Sequence, residues 1–274
     1  MPESLLSLAL VLAVSAAGAV ALRRHRRNRS RLYRDLAQHR TALIAGHQPD
    51  IQASVDPKTL GAAFAQERIV RVEGFLSAES LHRLQAECEA NRPRAERSYI
   101  PGHKKGGTLS YENIHRHAPA CLSFYHSPRL HQWLGDVVGE PLRPTADHDQ
   151  SSCSILYYDQ AGDHIHWHYD HNFYRGRHFT VLLSLVNHSS AGGVSAGRLR
   201  QRTNVGVIDL DTSANVLVMF EGAKVLHMAS PVAEGDERAM LSMTLCTDAR
   251  INPVKELARR IKDTAYYGPR ALVD

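Results

Sequence analysis

From residue 150 onward the chain breaks into short runs of alternating or apolar residues. They cover 154–158, 164–170, 179–187, 205–210, 216–220, 224–228 and 239–247. Between or within them lie Gly162, Gly176, Gly192, Gly193, Gly206, Gly222 and Gly235. Many short strands at roughly regular spacing, punctuated by turn residues, predict a sandwich or a barrel. At 274 residues and 43% hydrophobic content the chain can bury one sizeable core. With a site inside, the expected architecture is a double-stranded β-helix, a jelly roll of the cupin type.

Helices are expected to flank that core. Residues 68–72 alternate like a strand. Ser77 then stands as N-cap to a helix with Leu81, Leu84 and Cys88 on one face. Ser127-Pro128 reads as N-cap and first helical position. Leu130, Trp133, Leu134, Val137 and Val138 form the apolar face, and Gly139 ends the helix. Asn252-Pro253 opens a final helix, with Val254, Leu257, Ala258, Ile261 and Ala265 expected to pack on the barrel and Arg259, Arg260 and Lys262 expected in solvent. The stretch 102–107, Gly-His-Lys-Lys-Gly-Gly, matches no phosphate-binding pattern and reads as a mobile basic surface loop.

The N-terminus has its own pattern. Residues 4–22 are uncharged and mostly Leu, Val and Ala. At about 1.5 Å rise per residue, a helix of that length just spans a hydrocarbon core. Ala19-Val20-Ala21 resembles a signal-peptide cleavage site, but Met1-Pro2-Glu3 lacks the positive charge such a peptide carries. Seven arginines (23, 24, 26, 27, 29, 31 and 34) follow the apolar run. They favour an uncleaved single-pass transmembrane helix with the bulk of the chain in the cytoplasm, and a juxtamembrane segment drawn to anionic lipid. Residues 1–29 are therefore read as anchor and basic segment, and 30–66 as a partly helical linker. The formal net charge of +5 belongs to this end, since residues 35–274 carry slightly more acid than base. A nucleic-acid partner is not expected of such a domain. Cys88, Cys121, Cys153 and Cys246 form no Cys-x-x-Cys pair, so buried thiols are expected.

The chemistry concentrates at 162–172. His168-Tyr169-Asp170 is a His-x-Asp pair at the end of a strand-like run. His227 follows 57 positions after Asp170, just beyond a Gly turn, and Arg238 stands 11 positions beyond that. A period of two puts His164, His166, His168 and Asp170 on one face of the run. Two imidazoles and one carboxylate, with other positions open, suit non-haem iron(II).

In this combination the chain resembles the iron(II)- and 2-oxoglutarate-dependent dioxygenases, in particular their prolyl-hydroxylase-like branch. His168, Asp170, His227 and Arg238 match the pattern of His-x-Asp, distal His and a basic residue about ten positions later. Tyr157-Tyr158 before Gly162-Asp163 and Phe220-Glu221-Gly222 before the distal His match it in style. The resemblance covers about residues 68–248 and implies an oxygenase domain at 67–274. It implies that His168, Asp170 and His227 hold iron(II). Arg238 would clamp the distal carboxylate of 2-oxoglutarate, helped by a hydroxyl from Tyr157. The reaction implied is conversion of 2-oxoglutarate to succinate and carbon dioxide, coupled to hydroxylation of a small molecule or a protein side chain. Some members carry a Ser two positions after the Arg; here that position is Met240, so either a hydroxyl from Tyr157 or Thr180 substitutes or the position is empty. In related halogenases the carboxylate ligand is replaced by a small residue, so Asp170 argues for hydroxylation.

Two other readings compete. A non-catalytic, metal-retaining cupin-like module would have no need of Arg238. A zinc hydrolase would want a motif such as His-Glu-x-x-His, which is absent.

Overall fold

The computed structural model describes residues 3–251 and 253–267. The chain opens with α1 (Glu3–Gly46) and, after a short 3-10 turn, enters α2 (Gly61–Glu67), β1 (Ile69–Val72) and α3 (Ala78–Asn91). A hairpin of β2 (Glu96–Ile100) and β3 (Lys104–Leu109) leads to α4 (Tyr111–His117), α5 (Pro119–Tyr125) and α6 (Pro128–Val138). The strands then follow as β4 (Arg143–Pro144), β5 (Cys153–Tyr158), β6 (His164–His168), β7 (His178–Ser189), β8 (Leu199–Thr203), β9 (Gly206–Leu210), β10 (Leu217–Glu221), β11 (Leu226–Ala229) and β12 (Asp236–Cys246). Helix α7 (Pro253–Tyr267) closes the described chain.

All pairings are antiparallel, in the order β1-β10-β7-β12-β5-β3-β6-β11-β8-β9. This is a curled, jelly-roll-like sheet. Strand β3 joins its two halves. Lys104 and Lys105 pair with β6, and Gly107 to Leu109 pair with β5. Gly106 sits at the change of partner with φ 157°, where a Cβ would lie 3.1 Å from the Tyr157 carbonyl oxygen. The expected mobile loop at 102–107 is thus largely a paired strand, and Lys104 is only 1% exposed. Two adjacent glycines and two lysines read locally as a loop; the long-range ladder overrides that reading.

Side-chain alternation divides the first half-sheet into two faces. From β12, Ala239, Leu241, Met243 and Leu245 enter the hydrophobic core, while Arg238, Met240, Ser242 and Thr244 line a cavity. From β7, Phe179, Val181 and Leu183 face the core, and His178, Thr180 and Leu182 face the cavity. Helices α2 to α6 cover the core side with Phe64, Leu84, Ile114, Phe124 and Leu134, all buried. Each such side chain contributes about 1.5–3 kcal/mol by leaving water.

The helix punctuation follows the sequence. The Ser77 and Ser127 hydroxyls accept from Ser80 N and Leu130 N, and Gly139 takes a left-handed φ of 74°. All four cysteines are free and buried. Helix α1 continues beyond the basic segment and lies against α4 and α5, where Arg29 meets Glu112 at 2.6 Å and Leu43 packs on the core. Among the described residues no helix is long and apolar enough to cross a membrane. The apolar run at 4–22, which carries the transmembrane expectation, falls almost wholly outside the residues whose side chains are described.

Helix α7 turns the opposite way to expectation. Leu257 and Ile261 are 61% and 59% exposed, whereas Arg259 is 1% exposed. The cause is an ion-pair network: Arg259 meets Glu256 at 2.8 Å and Asp263 at 2.5 Å, and donates to the His148 carbonyl. The same rotation brings Lys262 to the cavity wall.

Candidate metal centre

The cavity lies between the half-sheets and has a volume of about 290 Å³. Strand β6 delivers His168 at its end, β11 delivers His227, and Asp170 follows two residues past β6. Their ligand atoms all lie within 4.8 Å of one another. His168 Nε2 is 3.5 Å from Asp170 Oδ1, and His227 Nε2 is 3.9 Å from Asp170 Oδ2.

Backbone carbonyls set both rings. His168 Nδ1 donates to His166 O at 2.7 Å, and His227 Nδ1 donates to Val225 O at 3.0 Å. That selects the tautomer whose Nε2 lone pair points to the shared space. Asp170 is fixed by its amide, which donates to Gly222 O at 3.0 Å, and by the Thr180 hydroxyl, which donates to Oδ2. Gly222 is required there. A Cβ on residue 222 would lie 2.7 Å from Asp170 Cβ and 2.9 Å from Oδ2.

The electrostatics suit a cation. Burial pushes the Asp170 carboxyl up, but His227, His168 and the Thr180 hydroxyl outweigh it and hold the carboxyl well below the usual carboxylate range. Burial keeps His227 below the ordinary imidazole value. Burial also opposes a proton on His168, yet the hydrogen bond and charge of Asp170 raise it above that value.

The expected alternation along β6 fails. Its ladder with β11 pairs His168 with His227 but Ile165 with Ala229, so β6 accommodates one extra residue. That bulge puts Ile165 and His168 on the same cavity wall, while His166 is exposed.

Arg238 reaches the same cavity from β12. It is 2% exposed, and its guanidinium lies over the Tyr158 ring at 5.0 Å. Among the described residues no carboxylate pairs with it, and its Nε has no hydrogen-bond partner. Burial pulls its proton affinity down, opposed by the Tyr158 hydroxyl. A buried cation without a counter-anion fits a site built to receive one.

Tyr157 is not brought to this site. It faces the core, and its hydroxyl donates to Cys88 O at 2.7 Å. Ser154, Leu156 and Tyr158 face the cavity instead, so strand parity excludes Tyr157 and selects Tyr158. In the register β12 pairs Arg238 directly with Tyr158. Thr180, the other candidate hydroxyl, serves Asp170.

A second group of metal-ligand type, His115, His126 and Asp147, lies under α1. Two of its three members, Asp147 and His126, already have partners. Arg40 holds Asp147 at 2.5 Å, and His126 Nε2 meets the Tyr111 hydroxyl at 2.6 Å.

The molecule resembles solved structures in fold. Pseudomonas putida prolyl-4-hydroxylase aligns with a TM-score of 0.54 at 18% identity, over 71% of this chain and 99% of that one. An oxidoreductase of the 2OG-Fe(II) oxygenase family from Burkholderia pseudomallei gives 0.58 at 14% identity, over 75% and 99%. The epimerase SnoN of nogalamycin biosynthesis, solved in complex with Fe3+ and alpha ketoglutarate, gives 0.57 at 14%, over 69% and 83%. The chain shares its fold with these structures, a prolyl-4-hydroxylase among them. A family profile described as Halogenase D matches residues 53–175, a span that contains His168 and Asp170 but neither His227 nor Arg238. No curated protein matches the sequence.

Proposed function

We propose that the chain is an iron(II)- and 2-oxoglutarate-dependent dioxygenase that hydroxylates a small molecule or a protein side chain. The observation that carries this reading is Arg238, a buried guanidinium that no carboxylate pairs among the described residues, in the cavity that also holds the His168, Asp170 and His227 ligand set. A metal-retaining binding module would have no use for that cation. His168, Asp170 and His227 would hold the iron, and Arg238 with Tyr158 would seat the distal carboxylate of 2-oxoglutarate. When bound, the metal and its cosubstrate supply oxidative chemistry, with 2-oxoglutarate leaving as succinate and carbon dioxide. The protein's own part is to orient the ligands through backbone carbonyls and Thr180, and to hold the cosubstrate's charge in a largely buried pocket. Because Asp170 fills the position that halogenases leave open, hydroxylation is favoured over halide transfer. We further propose the N-terminal apolar helix as a single-pass anchor, with the oxygenase domain on the cytoplasmic side.

The test is succinate formation by the full-length protein given iron(II), 2-oxoglutarate and air, beside His168→Ala. Succinate that depends on iron and on His168 is expected. Failure of the protein to bind either iron or 2-oxoglutarate would refute the reading. Protease protection of the domain in sealed vesicles of cytoplasm-out orientation would refute the topology.

A further inference from the structure

Helix α7 is amphipathic, yet it docks by its polar side. Arg259 and Asp263 face inward, while Leu257, Ala258 and Ile261 form an exposed apolar stripe along the outer side. A surface helix ordinarily turns such a stripe to the core, because burial is what holds it there. An outward stripe is a contact face.

Its flanks are cationic. Residues 253–267 contain Lys255, Arg259, Arg260 and Lys262 against Glu256 and Asp263. Lys255 is exposed and donates to a neutral group, the Asn172 carbonyl, at 2.9 Å. Arg260 is half-buried and shares the single Glu256 carboxylate with Arg259.

Location points to the partner. Helices α1 and α7 grip the same loop, residues 147–151. From α1, Arg40 meets Asp147 at 2.5 Å, and the Tyr33 hydroxyl accepts from Gln150 Nε2 at 3.1 Å. From α7, Arg259 donates to His148 O at 3.4 Å and Lys262 donates to Ser151 Oγ at 2.7 Å. On the side of α1 opposite Tyr33 and Arg40 stand Arg27, Arg31 and Arg34, all exposed and spaced to share one helix face. An apolar stripe on one helix and a row of cations on the other thus lie on the outer sides of two helices that share a loop. Apolar groups bordered by Lys and Arg match the headgroup layer of an anionic bilayer: the acyl boundary takes the stripe and the lipid charge takes the cations. A second copy of the chain fits less well. On a helix of 15 residues the stripe covers roughly 200 Å², far below the 800 Å² or so per partner of a stable protein interface.

We propose that α7 is an interfacial helix that lays Leu257, Ala258 and Ile261 into an anionic membrane surface, with Arg27, Arg31 and Arg34 of α1 meeting lipid phosphates beside it. This rests on the proposed N-terminal anchor for delivery to a membrane, and adds a second contact to it; it does not depend on the oxygenase reading. Because Lys262 of the same helix lines the cavity, one wall of the cavity is then held at the bilayer.

The experiment uses the full-length protein reconstituted into vesicles of phosphatidylcholine, alone or with phosphatidylserine. An environment-sensitive nitrobenzoxadiazole dye is placed on Leu257→Cys, on Ile261→Cys or, as control, on Val205→Cys, which lies at the exposed turn between β8 and β9. The native cysteines are buried and stay unlabelled. Flotation of the vesicles reads the anchor, and the dye reads α7. In the phosphatidylserine vesicles the dye at 257 and 261 is expected to brighten, shift to the blue and be quenched by spin-labelled lipid, while the dye at 205 stays unchanged. Arg260→Gln is expected to lower the ratio of inserted to free α7 about fivefold. Protein that floats while the dye at 257 behaves like the dye at 205 would overturn the α7 contact and leave the anchor standing. Brightening at 257 that grows with protein concentration in lipid-free detergent would assign the stripe to a second copy and likewise overturn it. Flotation with the phosphatidylserine vesicles alone, with the dye at 257 inserted, would support the α7 contact and refute the anchor. Protein that floats with neither vesicle would overturn both.

Discussion

Replacing Arg238 by Met should move stability and cosubstrate affinity in opposite directions. The guanidinium is 2% exposed, lies over the Tyr158 ring, and its Nε has no hydrogen-bond partner among the described residues. Removing a buried, uncompensated charge for an apolar side chain of similar length is therefore expected to be neutral to stabilising, by up to about 1–4 kcal/mol. With 2-oxoglutarate, the same change would delete the two-pronged charge-assisted contact proposed for Arg238. Two such hydrogen bonds at about 1.5–3 kcal/mol each give about 3–6 kcal/mol, on the order of 10²–10⁴-fold in Kd. The assay is thermal unfolding of the manganese-loaded protein with and without cosubstrate. At a hundredfold excess over its Kd, 2-oxoglutarate should stabilise wild type by about 2.7 kcal/mol and leave Arg238→Met unmoved at the same concentration. A variant that loses stability in the absence of ligand, yet keeps the shift with 2-oxoglutarate, would mean that Arg238 is a structural residue.

Three further outcomes are expected. Gly222→Ala should weaken metal binding about 10–100-fold by displacing Asp170, whose Cβ would otherwise be 2.7 Å from the new methyl group; metal titration by calorimetry checks it, and wild-type affinity would refute it. Tyr158→Phe should weaken 2-oxoglutarate, whereas Tyr157→Phe should cost about 1–3 kcal/mol of stability, through the lost bond to Cys88 O, and leave that affinity alone; denaturant melts and cosubstrate titrations on both variants separate the roles. Metal affinity should fall as pH drops, because a proton on His168 competes with the ion. Asp170 raises the proton affinity of His168, so the decline should begin above the ordinary histidine value of about 6.5, and its onset should move lower in Asp170→Asn.

The sequence carried the site better than the surfaces around it. The convergence of His168, Asp170 and His227 could be read because a His-x-Asp pair, a distal His after a Gly turn and a following Arg occur together. The caps at Ser77, Ser127 and Gly139 could be read because they are local chemistry. Tyr157 was misassigned for want of strand parity. Arg238 and Tyr158 are direct cross-strand partners, and that register is visible only once β5 and β12 are paired. The bulge in β6 was hidden for the same reason, since alternation along one strand cannot reveal an extra residue relative to its neighbour. Strand β8 was missed because Leu199–Thr203 carries two arginines and a glutamine, with only Leu199 and Gln201 buried. Helix α7 was misoriented because hydrophobicity alone ranks Leu257 above Arg259. The ion pairs of Arg259 with Glu256 and Asp263 reverse that order.

Strand β3 has one more consequence. It hydrogen-bonds to β5 on one side and β6 on the other. Its two neighbours belong to different halves of the sheet: β6 ends at His168, of the candidate ligand group, and β5 pairs with the strand bearing Arg238. The spacing between metal position and guanidinium is therefore spanned by a main-chain ladder and not by compressible side chains. In effect the barrel holds a ruler. On the proposed reading, a diacid longer or shorter by one methylene would not be accommodated by letting the halves breathe along this seam. Core substitutions that loosen the helical layer should leave the ruler's length unchanged. Discrimination between 2-oxoglutarate and 2-oxoadipate should accordingly persist in destabilised core variants and fail only when the bend at Gly106 is disturbed.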